Sequence, residues 1–155
     1  MTDAQRIEKL VARVAIQTLA GRQKLAQPEC ENLRVLLAAQ LAQQADDLAA
    51  LTRISWAYAC LGRGTDALRS AHRAADLLPL SKDPYSGHYF LNGLAQIAAH
   101  SGDADTALQI IGVLLSTPAG DTMSALRLKL DPVWDPLRAD PRFQKLADDI
   151  TPPAS

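Results

Sequence analysis

Only two cysteines occur in the 155 residues, Cys30 and Cys60, one in each of two expected helices. Such sparse usage fits a reducing compartment, where thiols serve as small apolar side chains, so two free thiols are expected rather than a disulfide. The chain also lacks any run of about 18 apolar residues, which excludes a membrane-spanning helix. Asp3, Arg6, Glu8 and Lys9 stand where a secretory signal would need its apolar stretch. These two absences point to a cytoplasmic protein. Neither sign of charge prevails: sixteen basic and seventeen acidic residues leave a net charge of -1. A phosphate backbone demands a concentrated basic face, so nucleic acid is not the expected partner, and neither is a membrane. Val and Ile are sparse beside Ala and Leu, and alternation of apolar and polar residues never lasts, so no strand is expected.

Chemistry is equally thin. His72, His88 and His100 have no second histidine or cysteine at metal-ligand spacing, so neither a metal nor another cofactor is expected, and the imidazoles are read as exposed or groove-lining. Ser70 and Ser81 lie near His72 and Asp83 along the chain, but a nucleophile needs a base held at hydrogen-bond distance, which nearness in sequence does not supply. Asp103 with Asp105, and Asp131, Asp135 and Asp140, are explained by helix capping. Arg63, Arg69 and Arg73 form the densest basic group and read as a solvated face. The chain is not expected to be an enzyme.

What is present is an echo at forty residues. Leu51, Ile54, Gly62, Ala67 and Leu68 return as Leu91, Leu94, Gly102, Ala107 and Leu108, and Pro79 has its counterpart in Pro118. A period of this length implies stacked helical hairpins, because one hairpin cannot bury its apolar face alone. The spacing predicts helices over 4–26, from about Pro28 to Gln44, over Leu48–Leu61, from Thr65 or Asp66 to before Pro79, from Tyr85 or His88 to His100, and over Asp105–Ser116. The first would bury Ile7, Leu10, Val11, Val14, Ile16, Leu19 and Leu25, with Gly21 disturbing its last turn. Ser81 to His88 reads as a loop or an outwardly displaced helix start. The fold class is all-α.

The unit 48–81 resembles a tetratricopeptide repeat (TPR), with Tyr58, Gly62, Ala67, Ala74 and Pro79 at that family's intervals. The unit 88–121 matches through Leu91, Leu94, Ala95, Gly102 and Ala107, and departs at Leu114. Residues 4–45 fit as a degenerate repeat or an N-terminal cap, since Arg13 and Gln17 fall where the family buries side chains. The resemblance implies one domain over 1–150: a right-handed solenoid of about six to eight helices, with a C-terminal cap over 122–150 and a disordered tail over 151–155.

That cap carries a second resemblance. Residues 130–143, with Asp131-Pro132, Asp135-Pro136 and Asp140-Pro141 around Trp134 and Phe143, are similar to the segment closing helical-repeat regions in bacterial multidomain serine/threonine kinases and repeat-containing transcription regulators. Each Asp-Pro pair is suited to start a short helix, and Trp134, Leu137, Phe143 and Leu146 would plug the open end of the array. No glycine-rich phosphate loop, catalytic-loop motif or basic recognition helix accompanies it, so those activities do not carry over.

In tetratricopeptide arrays the first helix of each pair lines a concave groove. The matching positions here are Thr52, Arg53, Trp56 and Cys60, then Tyr89, Asn92, Gln96 and His100. Trp, Tyr and Arg are enriched at binding hot spots, and Asn92 with Gln96 could pair with a peptide backbone. The alternative for Trp56 is packing beneath the N-terminal helices. The leading expectation is a non-catalytic module that binds a protein or peptide segment in this groove. The other is a structural or regulatory appendage of a larger bacterial signalling protein, acting by homodimerisation or by packing on a catalytic domain.

Overall fold

In a computed structural model of the chain, residues 1–117 and 123–149 are described. They form eight α-helices and one 3-10 helix, with no strand among them. Pro118 and the expected tail over 151–155 lie outside the described residues.

Helix α1 (Asp3–Leu19) starts at a reciprocal cap, in which the Thr2 hydroxyl accepts from the Gln5 backbone and the Gln5 side chain accepts from the Thr2 backbone. Its inward stripe is Ile7, Leu10, Val14 and Thr18. The helix is shorter than the expected 4–26, because Gly21 turns the chain with a φ of 68°. Leu25, beyond that turn, is therefore mostly exposed; Ile16 and Leu19, also expected in the stripe, are exposed because they fall outside the α1 face that carries Leu10, Val14 and Thr18. Helix α2 (Gln27–Gln43) carries Pro28 and Glu29 in its first turn, where the missing N–H costs nothing and the acid meets the positive helix end.

Helix α3 (Leu48–Cys60) is capped by Asp47, and α4 (Gly64–Leu77) follows Gly62, whose φ of 72° suits the residue after a helix end. Helix α5 (Pro84–His100) begins where Asp83 accepts from the N–H groups of Tyr85 and Ser86, so Tyr85 to His88 are helical and the loop ends at Asp83. Helix α6 (Ala104–Ser116) is capped by Asp103 onto Thr106. Helix α7 (Ala125–Leu130) was not foreseen as a separate element. Beyond it come the 3-10 helix (Pro132–Leu137) and α8 (Pro141–Asp148). Two of the three Asp-Pro pairs start a helix. The middle one does not: Pro136 lies inside the 3-10 helix, whose first turn already uses Pro132.

Each helix from α1 to α6 packs on its neighbours in sequence, and α1, α3, α5 and the 3-10 helix also meet side by side. Within α1 to α6, the odd-numbered helices thus make one layer and the even-numbered helices pack on it as the other, while α7 pairs with α8. Ala67, Ala71 and Ala74 are buried along α4, where their size lets its neighbours approach closely. The core has two parts. One joins α1, α2 and α3 through Val14, Leu33, Leu37 and Ile54; the other runs from α4 to α8 and ends on Trp134, Leu137 and Phe143, each 2% exposed. The expected plug is in place, with Leu146 partly buried against it.

The cysteines depart from expectation. Cys30 of α2 and Cys60 of α3 are disulfide-bonded, their Cα atoms 6.2 Å apart and both residues buried in the first core. Helical phase turns each inward, Cys30 onto the face of α2 that carries Leu33 and Leu37, and the packing of α2 on α3 brings the two together.

Candidate interaction face

Arg53 leaves α3 and donates to Glu8 of α1 at 2.5 Å, an ion pair that bridges two odd-numbered helices. One turn further, Trp56 is half-buried and meets the His100 ring of α5 edge-on, with centroids 5.4 Å apart and an angle of 61° between the planes. His100 in turn reaches the 3-10 helix through Nε2 and the Val133 carbonyl at 2.8 Å. A carbonyl only accepts, so Nε2 carries the proton and donates. Burial holds this imidazole below its usual pKa, against the opposing effects of the Val133 carbonyl and Asp135. A chain of side chains therefore links α1, α3, α5 and the C-terminal cap across the odd-numbered layer.

The expected groove residues divide. Thr52 is half-buried and turns its hydroxyl back onto the Leu48 carbonyl at 2.8 Å, so its donor is committed locally. Tyr89 is 57% exposed and its ring meets Phe90 edge-on. Asn92 and Gln96 are half-buried on the same helix. The Asn92 side-chain oxygen is buried and accepts no hydrogen bond among the described residues. A buried acceptor left open is uncommon, and this one has no surface through which a partner could reach it. Cys60 does not line a surface: it is 1% exposed and bonded to Cys30, because its side chain follows Ile54 and Ala57 inward.

The histidines also sort differently from expectation. His72 is exposed and His100 lines the face, but His88 is buried at 1%, with Nε2 3.4 Å from the Leu114 carbonyl. Glu8 and Val133 were missed as members of the face. Nothing local marks them, since each meets its partner across more than thirty residues of chain.

Comparison with known proteins returns no matching family model, no matching curated protein and no matching solved structure. The face must be interpreted from its own geometry. Among the described residues, no group of three metal-ligating side chains converges and no helix is long and apolar enough to cross a membrane.

Proposed function

We propose that the chain is a non-catalytic interaction module of tetratricopeptide type, which binds a protein or peptide segment along the layer made by α1, α3 and α5. Trp56 carries this reading. It sits half-buried at the seam between α3 and α5, edge-on to the His100 ring, and Arg53, one turn earlier on α3, is paired with Glu8. A partly exposed indole on a rigid helix supplies large contact area at small entropic cost. Selection from a displayed peptide library followed by titration tests it. Trp56→Ala is expected to weaken the selected peptides by about tenfold or more, as the loss of a hot-spot aromatic does, without loss of fold. Unchanged affinity in a folded Trp56→Ala protein would refute the assignment.

The second reading is a structural appendage that pairs with another copy of itself. It draws on the apolar side chains left outside, namely Leu126 and Leu130 on α7, which are 65% and 71% exposed. Light scattering across a concentration series separates the two readings. The compartment is tied to the disulfide. A cytoplasmic location was expected from free thiols, and the bond between Cys30 and Cys60 removes that ground, since such bonds persist chiefly in oxidising compartments. Trapping thiols with an alkylating reagent in freshly acidified cells would show which redox state the protein holds where it works.

A further inference from the structure

The two repeats create two equivalent clefts on the layer of even-numbered helices, and the clefts differ. The first lies between the end of α2 and α4, over Leu51; the second lies between α4 and α6, over Leu91, the repeat partner of Leu51. Their volumes are about 240 Å³ and about 570 Å³. Position by position, the first presents Arg69, Ser70 and Arg73 where the second presents Gln109, Ile110 and Val113. Both arginines are engaged: Arg73 pairs with Asp46 at 2.6 Å and Arg69 with Asp66 at 2.9 Å. The second cleft has no arginine in its lining, and Leu91, Leu94, Ile110 and Val113 give it an apolar interior.

Its shape is built into the backbone. The linker after α4 spans residues 78–83, against 44–47 after α2, and packs so tightly on α5 that a Cβ at Gly87 would lie 2.7 Å from the Leu80 nitrogen. Gly87 is thus the residue that lets this longer linker wall off one end of the cleft. On the α4 rim stand His72 and Asp76, one turn apart on one face. Asp76 is exposed and makes no ion pair among the described residues. An apolar floor, one carboxylate at the edge and a volume within the roughly 300–1,000 Å³ typical of ligand sites define a small-molecule pocket.

We infer that this second cleft binds a small amphiphilic amine, its apolar body against Leu91, Leu94, Ile110 and Val113 and its ammonium group on the Asp76 carboxylate. This site is separate from the proposed peptide face and does not depend on it. The test is amide NMR titration with phenylbutylamine, beside phenylbutyrate and phenylbutanol, which share its apolar body. Saturable shifts are expected around the cleft on α4, α5 and α6 with the amine, and binding about tenfold weaker or more with the acid, whose charge meets Asp76 with the wrong sign. Val113→Arg places the first cleft's arginine at a 42% exposed position and is expected to abolish binding. Asp76→Asn, on the exposed rim, is expected to bring the amine down to the affinity of the alcohol. Equal binding of amine and acid, shifts that map elsewhere, no saturable shift, or unaltered amine binding by a folded Asp76→Asn or Val113→Arg protein would each overturn the assignment.

Discussion

The two ends of the helical array are closed by different chemistry. At the N-terminal end, α1 and α2 contribute aliphatic and small side chains, and the core there is tied by the Cys30–Cys60 bond between α2 and α3. At the C-terminal end, no covalent tie is made and the closing elements are short, yet Trp134 and Phe143 are almost wholly buried among Leu128, Val133 and Leu137. An aromatic side chain removes far more area from water than a Val or an Ala, so a few such residues hold a short segment that its own helices could not. Where the residues are smaller, a link that restricts the unfolded chain serves instead.

Removing Trp134 should have the largest effect. Trp134→Ala is expected to cost about 3–5 kcal/mol, measured by denaturant unfolding, as buried aromatics do. A loss below about 1 kcal/mol would mean that the cap contributes little to closure. At the other end, the cysteines are separated by 30 residues, a loop whose constraint is worth about 3–4 kcal/mol on the entropy model. Reduction, or the Cys30→Ala/Cys60→Ala double variant, is therefore expected to lower stability by somewhat less than Trp134→Ala. Hydrogen exchange should report the loss in α1 and α2 before α6 to α8. Uniform loss over the whole chain would show that the two cores unfold as one unit.

The smallest effect is the response of each end to acid. His100 joins α5 to the 3-10 helix, and its imidazole is held below the usual value. The unfolded chain takes up this proton first, so the stabilisation is complete above about pH 6.5 and fades as the pH falls toward and through the folded value. Near the first core, the Asp47 carboxyl is lowered by the Ala50 N–H that it caps, and then by Gln40. Its contribution is complete above about pH 3.9 and is lost as the pH falls below that. Acidification below about pH 6.5 is thus expected to loosen the C-terminal end progressively while leaving the α2–α3 junction intact, seen as loss of amide protection around Val133. His100→Gln, which keeps a donor for the Val133 carbonyl, should remove that step. If it persists in the variant, another group controls it.

Much of the architecture was legible along the chain. Helix starts after Asp47 and Asp103 and stops at Gly62 and Gly102 follow from local chemistry, a side-chain oxygen meeting free N–H groups and a glycine adopting positive φ, whereas the start at Asp83 was placed too late, at Tyr85 or His88. The extents of α3 and α6 followed closely from periodicity, and the burial of Trp134, Leu137 and Phe143 from the Asp-Pro framework. The error at α1 had two sources: Leu25 lies beyond the turn at Gly21, and Ile16 was counted for its apolar side chain although its phase is opposite that of Val14 and Thr18. The face itself was half legible. Trp56 and His100 stood out by residue type, but their contact did not, and Cys60 was assigned to a surface from its repeat position when its helical phase turns it inward.

By itself the sequence determined the helical class, the forty-residue period and most helix boundaries, because these depend on side chains and backbone groups within a few residues of one another. Tertiary structure alone decided that Cys30 meets Cys60, that Glu8 pairs with Arg53, and that the second of two equivalent clefts is the larger. Each of those depends on how far apart two separately folded helices come to rest, a distance fixed by packing and linker geometry across the whole array.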